Sequence, residues 1–329
     1  MRRREFITLV GGAAASTALS PPARAQQTLP VIGFLGSALP TTFPERMRAY
    51  FQGLREAGFE EGRNVAIEYR WAEGRIERLP ALATELVHRK VDVIAAIGGP
   101  PQALAVKAAT STIPVVFQVG ADPIALGLVA SLSRPGGNLT GVASLNVDVG
   151  PKRLELMHEL LPSAKTIAFL FNPANTSTAE MQTKLFQTAA QTLGIELRAL
   201  PAAAERDLEA AFARMIEAKV SGVVIANDVV FTSRSAQVAE LSLRDKLPAV
   251  SPFREFPMAG GLMSYGGDIL DAWRLGGVYT GRVLKGEKPA DLPVQQSTKV
   301  ELIINLKAAR ALGVTVPMLL LGRADEVIE

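Results

Sequence analysis

Short apolar runs that stop at small or polar residues alternate with segments of helical spacing from residue 31 to residue 250. VIGFL at 31–35 ends in Gly36 and Ser37. The stretch 44–57 then places Met47, Tyr50, Phe51 and Leu54 on one face before Gly58 stops it. Runs this apolar need cover on both faces, so they read as parallel strands buried between helices. Strands are predicted at 31–35, 65–71, 91–97, 114–119 and 139–143. Helices lie between them at 44–57, 76–88, from Pro100, and from Asp122-Pro123 to Leu132. The pattern then restarts, with helices at 151–161, 178–193, 208–218 and 233–243 and strands at 166–171, 195–200, 220–226 and 248–250. Two such series predict two doubly wound lobes.

The last third breaks the rhythm. A strand at 260–265, a helix at 268–284, an extended stretch at 294–300 and a helix at 306–312 are too little for a third domain. The chain is therefore expected to cross back to the first lobe and return. The fold class is α/β, two doubly wound parallel-sheet lobes joined by a three-crossover hinge. Residues 30–143 and 266–293 form the first lobe, and 144–265 and 294–329 the second.

A length of 329 residues suits two cores better than one, and 48% apolar with 20% charged residues is an ordinary globular composition. Residues 1–25 hold four of the 35 basic and one of the 32 acidic side chains, so the rest carries 31 of each. A neutral remainder gives no nucleic-acid footprint. With no cysteine, disulfides, thiolate chemistry and a lipid-anchored cysteine are excluded.

The N-terminus reads as an address. Arg2, Arg3 and Arg4 precede an apolar and small-residue run over 7–19, then Pro21-Pro22 and Ala23-Arg24-Ala25. That is the order of a cleavable signal peptide, and its 13-residue run is too short for a membrane span. Arg3-Arg4-Glu5-Phe6 points to the twin-arginine route, with a general secretory signal as the alternative. The expected product is periplasmic and begins at Gln26.

VIGFLGS at 31–37, ADP at 121–123, RPGGNLTGV at 134–142 and GGLMSYG at 260–266 resemble the ABC-transporter substrate-binding proteins of the type I periplasmic fold. So do KGEKPADLPVQQ at 285–296 and INLKAARALGVTVP at 304–317. More narrowly, they are similar to the family with tryptophan- and tyrosine-binding members. The resemblance implies a monomeric, non-enzymatic receptor that captures an amino acid or aromatic carboxylate. Its partners would be the small-molecule ligand in the interlobe cleft and ABC permease subunits. Two glycines in RPGGNLTGV read first as a turn feeding a strand toward the hinge.

In parallel sheets, ligands bind beyond the carboxyl ends of strands, and the candidate residues gather there. Ser37 follows the first strand; Gly99, Pro100 and Gln102 open the helix after the third; Asp122 follows the fourth; Asn146 comes just past the fifth. Asn172 and Asn175 follow a strand of the second lobe. The helix starts at 99–102 and 172–175 offer N–H groups to an anion, or the same residues act only as caps. Asp228, at another strand end, could pair with a ligand ammonium or cap the next helix. Phe253 and Tyr265 could stack on a flat ligand, and Arg254 could hold a carboxylate. Trp71 could line the cleft or pack in the core at its strand end.

Enzymatic signatures are poor. No G-x-G-x-x-G follows the first strand and no P-loop is present. The two histidines, His88 and His158, are 70 residues apart on amphipathic helices. No cofactor or metal is expected. A sensor for a membrane kinase or chemoreceptor and an exported hydrolase on the same frame are the competing readings.

Overall fold

The computed structural model describes residues 29–144 and 146–329. The expected signal peptide at 1–25 lies outside these residues. The first series forms β1 (Val31–Gly36), α1 (Pro44–Glu56), β2 (Ala66–Trp71), α2 (Leu79–His88), β3 (Val93–Ile97), α3 (Pro100–Ala109), β4 (Val115–Val119) and β5 (Leu139–Ser144). The second forms α4 (Gly150–Leu160), β6 (Thr166–Phe171), α5 (Thr176–Leu193), β7 (Glu196–Pro201), α6 (Leu208–Glu217) and β8 (Gly222–Ile225). It continues through α7 (Val229–Thr232), α8 (Ser235–Arg244), β9 (Ala249–Ser251), α9 (Glu255–Met258) and β10 (Met263–Gly267). The tail adds α10 (Ile269–Leu284), β11 (Gln295–Ser297), β12 (Val300–Asn305), α11 (Leu306–Leu312), α12 (Met318–Leu321) and β13 (Glu326–Ile328). Among the described residues no helix is long and apolar enough to cross a membrane.

Two sheets result. The first runs β11-β5-β4-β3-β1-β2 and is parallel throughout. The second runs β13-β12-β10-β9-β8-β6-β7, with only the β10–β12 pair antiparallel. In both, the strand order reverses beside the first strand of the series: between β1 and β3, and between β6 and β8. The residues that leave these four strand ends therefore face a crevice in each lobe.

Central strands such as β3, β4 and β5 are buried along their whole length. Phe34 and Phe117 anchor the first lobe's cores and Phe169, Phe186 and Phe212 the second's, all fully buried. Each contributes roughly 1.5–3 kcal/mol relative to exposure. Helix α10 returns to the first lobe and lies against α1 at backbone contact. A Cβ on Gly53 would sit 1.8 Å from the Arg274 carbonyl oxygen, and one on Gly277 would sit 2.0 Å from that of Tyr50. Only glycine at both positions lets the helices pack this closely, and α1 and α10 carry side chains into the cleft.

The chain crosses between lobes after β5, after β10 and between β11 and β12. Sheet membership moves the last crossing. β11 pairs with β5, Gln295 opposite Val142 through Ser297 opposite Ser144, so residues expected in the second lobe from 294 onward extend the first lobe's sheet as far as Ser297. Likewise β10 keeps residues 266 and 267 in the second lobe.

The crossings are pinned together. Asn146 accepts from the Gly267 N–H at 2.7 Å, and the fully buried Arg153 donates to the carbonyls of Asn146 (2.9 Å) and Tyr265 (3.1 Å). Asp268 caps α10 through the Asp271 N–H and takes Lys299 at 3.1 Å from the third crossing.

The helix expected after Asp122 does not form. Residues 123–127 make a single turn, closed at Gly127 with φ of +67°. The RPGGNLTGV segment plays the structural part expected of it. Gly136 turns at φ +80°, Asn138 donates to the Ile113 carbonyl at 2.8 Å, and Thr140 to that of Leu292 at 2.6 Å.

Candidate ligand-binding site

The four strand ends at the two switch points open on one cleft between the lobes, with about 760 Å³ of space, part of it continuous with open solvent. From the first lobe come Gly36 and Ser37 after β1, Gly98 to Gln102 after β3, and Gln118 and Gly120 at β4. From the second come Asn175 ahead of α5, and Asn227 and Asp228 after β8.

Asp228 is 5% exposed. Its carboxylate accepts from Asn172 Nδ2 at 3.0 Å, Asn175 Nδ2 at 2.8 Å and the Val230 N–H at 2.9 Å. The last contact makes it the N-cap of α7, so capping and cleft lining coincide in one side chain. Burial raises its pKa above the ordinary aspartate value; the bonds from Asn175, Val230 and Asn172 partly offset this. No basic side chain contributes to that balance. Three neutral donors thus fix a buried carboxylate that has no cationic partner among the described residues, and a cation entering the cleft would supply one.

The opposite wall is aromatic. Trp71 ends β2, stacked on Tyr69 with ring planes 7° apart, and lines the cleft with Phe43, Ile76, Ile97, Ile269 and Trp273. Trp71 thus takes both expected fates, because the end of β2 is at once core edge and cleft wall. Phe34 beneath it touches Trp71 and Trp273, at centroid distances of 5.3 and 6.3 Å. Trp273 is 3% exposed and its Nε1 has no hydrogen-bond partner among the described residues.

Arg46 of α1 also lines the cleft and is 5% exposed. Its guanidinium lies 4.2 Å from the Phe43 ring centre and 4.8 Å from that of Phe253, across the cleft. Its Nε donates to Glu255 Oε1 of α9 at 2.7 Å. Nη2 lies 2.6 Å from the same oxygen without a hydrogen-bonding angle, so Nη2 and Glu255 Oε2 both remain without a hydrogen bond.

Of the twelve candidates, Ser37, Gly99, Pro100, Gln102, Asn146, Asn175, Asp228 and Phe253 line this cleft. Ser37 Oγ and the Gln102 amide lie 2.9 Å apart and tie the β1 and β3 ends together, much as Asp228 and Asn172 tie β8 to β6. Four candidates are placed elsewhere. Asn172 stands behind Asp228 and orients it, also accepting from the Ala174 N–H. Asp122 accepts from the Ile124 N–H at 2.8 Å and stabilises its turn. Arg254 is drawn to two carboxylates outside the cleft, Glu326 at 2.9 Å and Glu301 at 3.5 Å. The Tyr265 side chain packs against the second lobe's core, because β10 alternation turns it from the cleft.

The two expected anion-docking helix starts are poor for that purpose. Pro100 and Pro101 remove two of the first-turn N–H donors of α3. At α5 the Asn175 side chain already serves the carboxylate of Asp228. Among the described residues no group of three His, Asp or Glu side chains could hold a metal ion.

Arg46 and Trp273 were missed by the sequence reading. The available signal for Arg46 is its spacing: Arg46, Tyr50, Gly53 and Leu54 are the buried positions of α1, so the arginine lies on the core face.

Residues 45–328 match the family model of ABC transporter substrate binding proteins. A curated relative, the tyrosine-binding protein of Clostridioides difficile (strain R20291), is 27% identical over 266 residues, 80% of this chain and 75% of that one. Among solved structures, a conserved domain protein from Vibrio cholerae O1 biovar eltor superposes with a TM-score of 0.84 at 28% identity, covering 91% of this chain and 100% of that one. The ABC domain from Streptococcus pneumoniae in complex with L-Trp gives 0.82 at 27% identity, covering 92% of this chain and 100% of that one. A two-lobed α/β frame, a cleft at both switch points and a family match across most of its length lead to one assignment: the chain belongs to the ABC transporter substrate binding proteins.

Proposed function

We propose that this protein captures an α-amino acid with an aromatic side chain in the interlobe cleft and delivers it to an ABC importer. The observation that carries this reading is Asp228, a buried carboxylate fixed by three neutral donors and without a cationic partner among the described residues, opposite a wall of Trp71, Phe43 and Trp273. A ligand ammonium supplies the missing charge, and an aromatic side chain matches the rings. The relatives' names agree, one a tyrosine-binding protein and one solved with L-Trp.

Fifteen residues contribute in two ways. Ser37, Gly99, Pro100, Gln102, Asn146, Asn175, Asp228 and Phe253 form the ligand-facing set, joined by Trp71, Trp273 and Arg46. Asn172 positions Asp228, and Asp122, Arg254 and Tyr265 support the frame. Lobe closure about the three crossings gives permease subunits a surface that reports occupancy. Arg3-Arg4 and Ala23-Arg24-Ala25 support export to the periplasm by the twin-arginine route, cleavage after Ala25 and a soluble monomer beginning at Gln26.

Thermal shift with L-tryptophan, L-tyrosine, L-phenylalanine and benzoate tests the ligand class. An amino acid present at 100 times its dissociation constant is expected to add about 2.7 kcal/mol of stability. Stabilisation by benzoate alone would overturn the cation-accepting reading. The intact mass of the periplasmic protein checks the cleavage site.

A further inference from the structure

Two cleft-lining side chains, Arg46 and Trp273, hold a buried N–H group with no hydrogen-bond partner among the described residues. A buried donor left unpaired is costly, so each such atom marks a place where a guest could supply an acceptor. The two differ in surroundings. Trp273 Nε1 belongs to a ring that packs on Phe34 as part of the apolar wall. Arg46 Nη2 is held in place by aromatic rings from both lobes and by the Nε–Glu255 bond.

The charge of the Arg46–Glu255 pair decides what kind of acceptor fits. The guanidinium already has a carboxylate within 2.7 Å, so an anionic guest would compete with Glu255 for one cation. A neutral oxygen meets no such competition. What the pair leaves unused is one N–H donor and one carboxylate oxygen, Arg46 Nη2 and Glu255 Oε2. A hydroxyl in the cleft can accept from Arg46 Nη2 without disturbing the pair.

We propose that Arg46 is a specificity-determining residue that reads a neutral hydroxyl at the far end of the ligand's side chain, while Asp228 holds the ammonium. The substrate class is then an aromatic amino acid bearing a ring hydroxyl. This rests on the amino-acid reading given above and narrows it. Because Arg46 belongs to the first lobe and its partners Phe253 and Glu255 to the second, the hydroxyl meets a donor that is fixed only when the lobes meet.

Calorimetric titration of L-tyrosine and L-phenylalanine, which differ only in that hydroxyl, tests the proposal on the wild type, Arg46→Met, Arg46→Lys and Trp273→Phe. A site built to bond a hydroxyl rejects the analogue lacking it, and the wild type is expected to favour tyrosine by at least about tenfold. In Arg46→Met the preference collapses to within about threefold of unity, tyrosine losing more affinity than phenylalanine. Trp273→Phe keeps the preference. Arg46→Lys preserves the charge opposite Glu255 but not the flat sandwich between two rings, and it too loses the preference. This variant decides the matter if Arg46→Met does not fold. Equal wild-type affinity for the two amino acids would overturn the proposal while leaving the amino-acid reading intact. A preference that survives both Arg46 variants passes the reading role to another donor and overturns it also. A proportional loss for both ligands makes Arg46 a latch between lobes or a holder of their shared backbone, again against the proposal. Binding of neither amino acid to the wild type would remove the functional reading itself.

Discussion

The two walls of the cleft are built on the same strand order and do opposite things. In the first lobe the switch-point loops are glycine- and proline-rich, Gly36-Ser37 and Gly98-Gly99-Pro100, and rings from β2 and α10, with Phe43 just before α1, fill the space they leave. In the second lobe the equivalent loops carry Asn172, Asn175, Asn227 and Asp228, and the side chains of Asn172 and Asn175 bond that of Asp228 rather than a ring. Each lobe has side-chain hydrogen bonding that joins its two switch-point loops: Ser37 with Gln102 in the first, Asn172, alongside Asn175, to Asp228 in the second. In one lobe that bonding ties down neutral groups; in the other it fixes a charge. A single architecture thus gives a flat apolar surface and a charged acceptor facing each other, and the ligand must present both kinds of end.

The largest expected effect comes from removing the charge. Asp228→Ala should cost roughly 2–5 kcal/mol of binding free energy, by analogy with stranded charges at buried interfaces. That is more than tenfold in the dissociation constant, read by calorimetry. Loss of its capping bond alone would cost about 0.5–2 kcal/mol of stability and leave affinity unchanged. A lowered melting point with unaltered affinity would erase the contrast between the walls.

Acidification probes the same carboxylate more gently. Burial raises the Asp228 pKa, so protonation, which removes the acceptor for a cation, should begin at a higher pH than for an ordinary aspartate. Affinity for an ammonium ligand should fall as pH drops through that raised value. Stability of the ligand-free protein should respond with the opposite sign. An acid whose folded pKa lies above its unfolded value stabilises the fold below the unfolded value, and this contribution is lost as pH rises through the folded value. Asp228→Asn should abolish both dependences in titrations across the acid range.

The apolar wall should yield a smaller loss. Trp71→Leu keeps an apolar side chain but removes the flat face stacked on Tyr69, and aromatic ligands should lose roughly 0.5–1.5 kcal/mol, about two- to tenfold in affinity. An aliphatic amino acid should be little affected, so the ratio of the two ligands sharpens the distinction between the walls.

The smallest effect is expected at Arg254. Its partners Glu326 and Glu301 lie outside the cleft, and a partly buried ion pair at the surface contributes about 1 kcal/mol to stability. Arg254→Ala should leave ligand affinity unchanged in the same titration. A large affinity loss there would mean that the second wall extends beyond the cleft described.

The sequence by itself determined most of the elements, their order and the division into two lobes, though not the turn at 123–127 or the exact crossings, because an apolar period of two or 3.6 is a local property that a few adjacent residues specify. It also marked the strand ends as the place for a ligand, and Asp228 among them, since a residue just after a buried strand must emerge at that edge of the sheet. The tertiary structure decided which emerging side chains meet. Arg46 and Glu255 are more than two hundred residues apart, and nothing near either one in the chain signals the other. Arg254 and Tyr265 stood beside cleft residues in sequence, yet carboxylates on β12 and β13 draw one away and strand alternation turns the other aside. The third crossing moved for the same reason: Val294 to Val300 reads as extended, but which sheet that stretch joins depends on β5 offering an open edge. Local pattern fixes what a residue is able to do; only the packing of distant segments fixes what it touches.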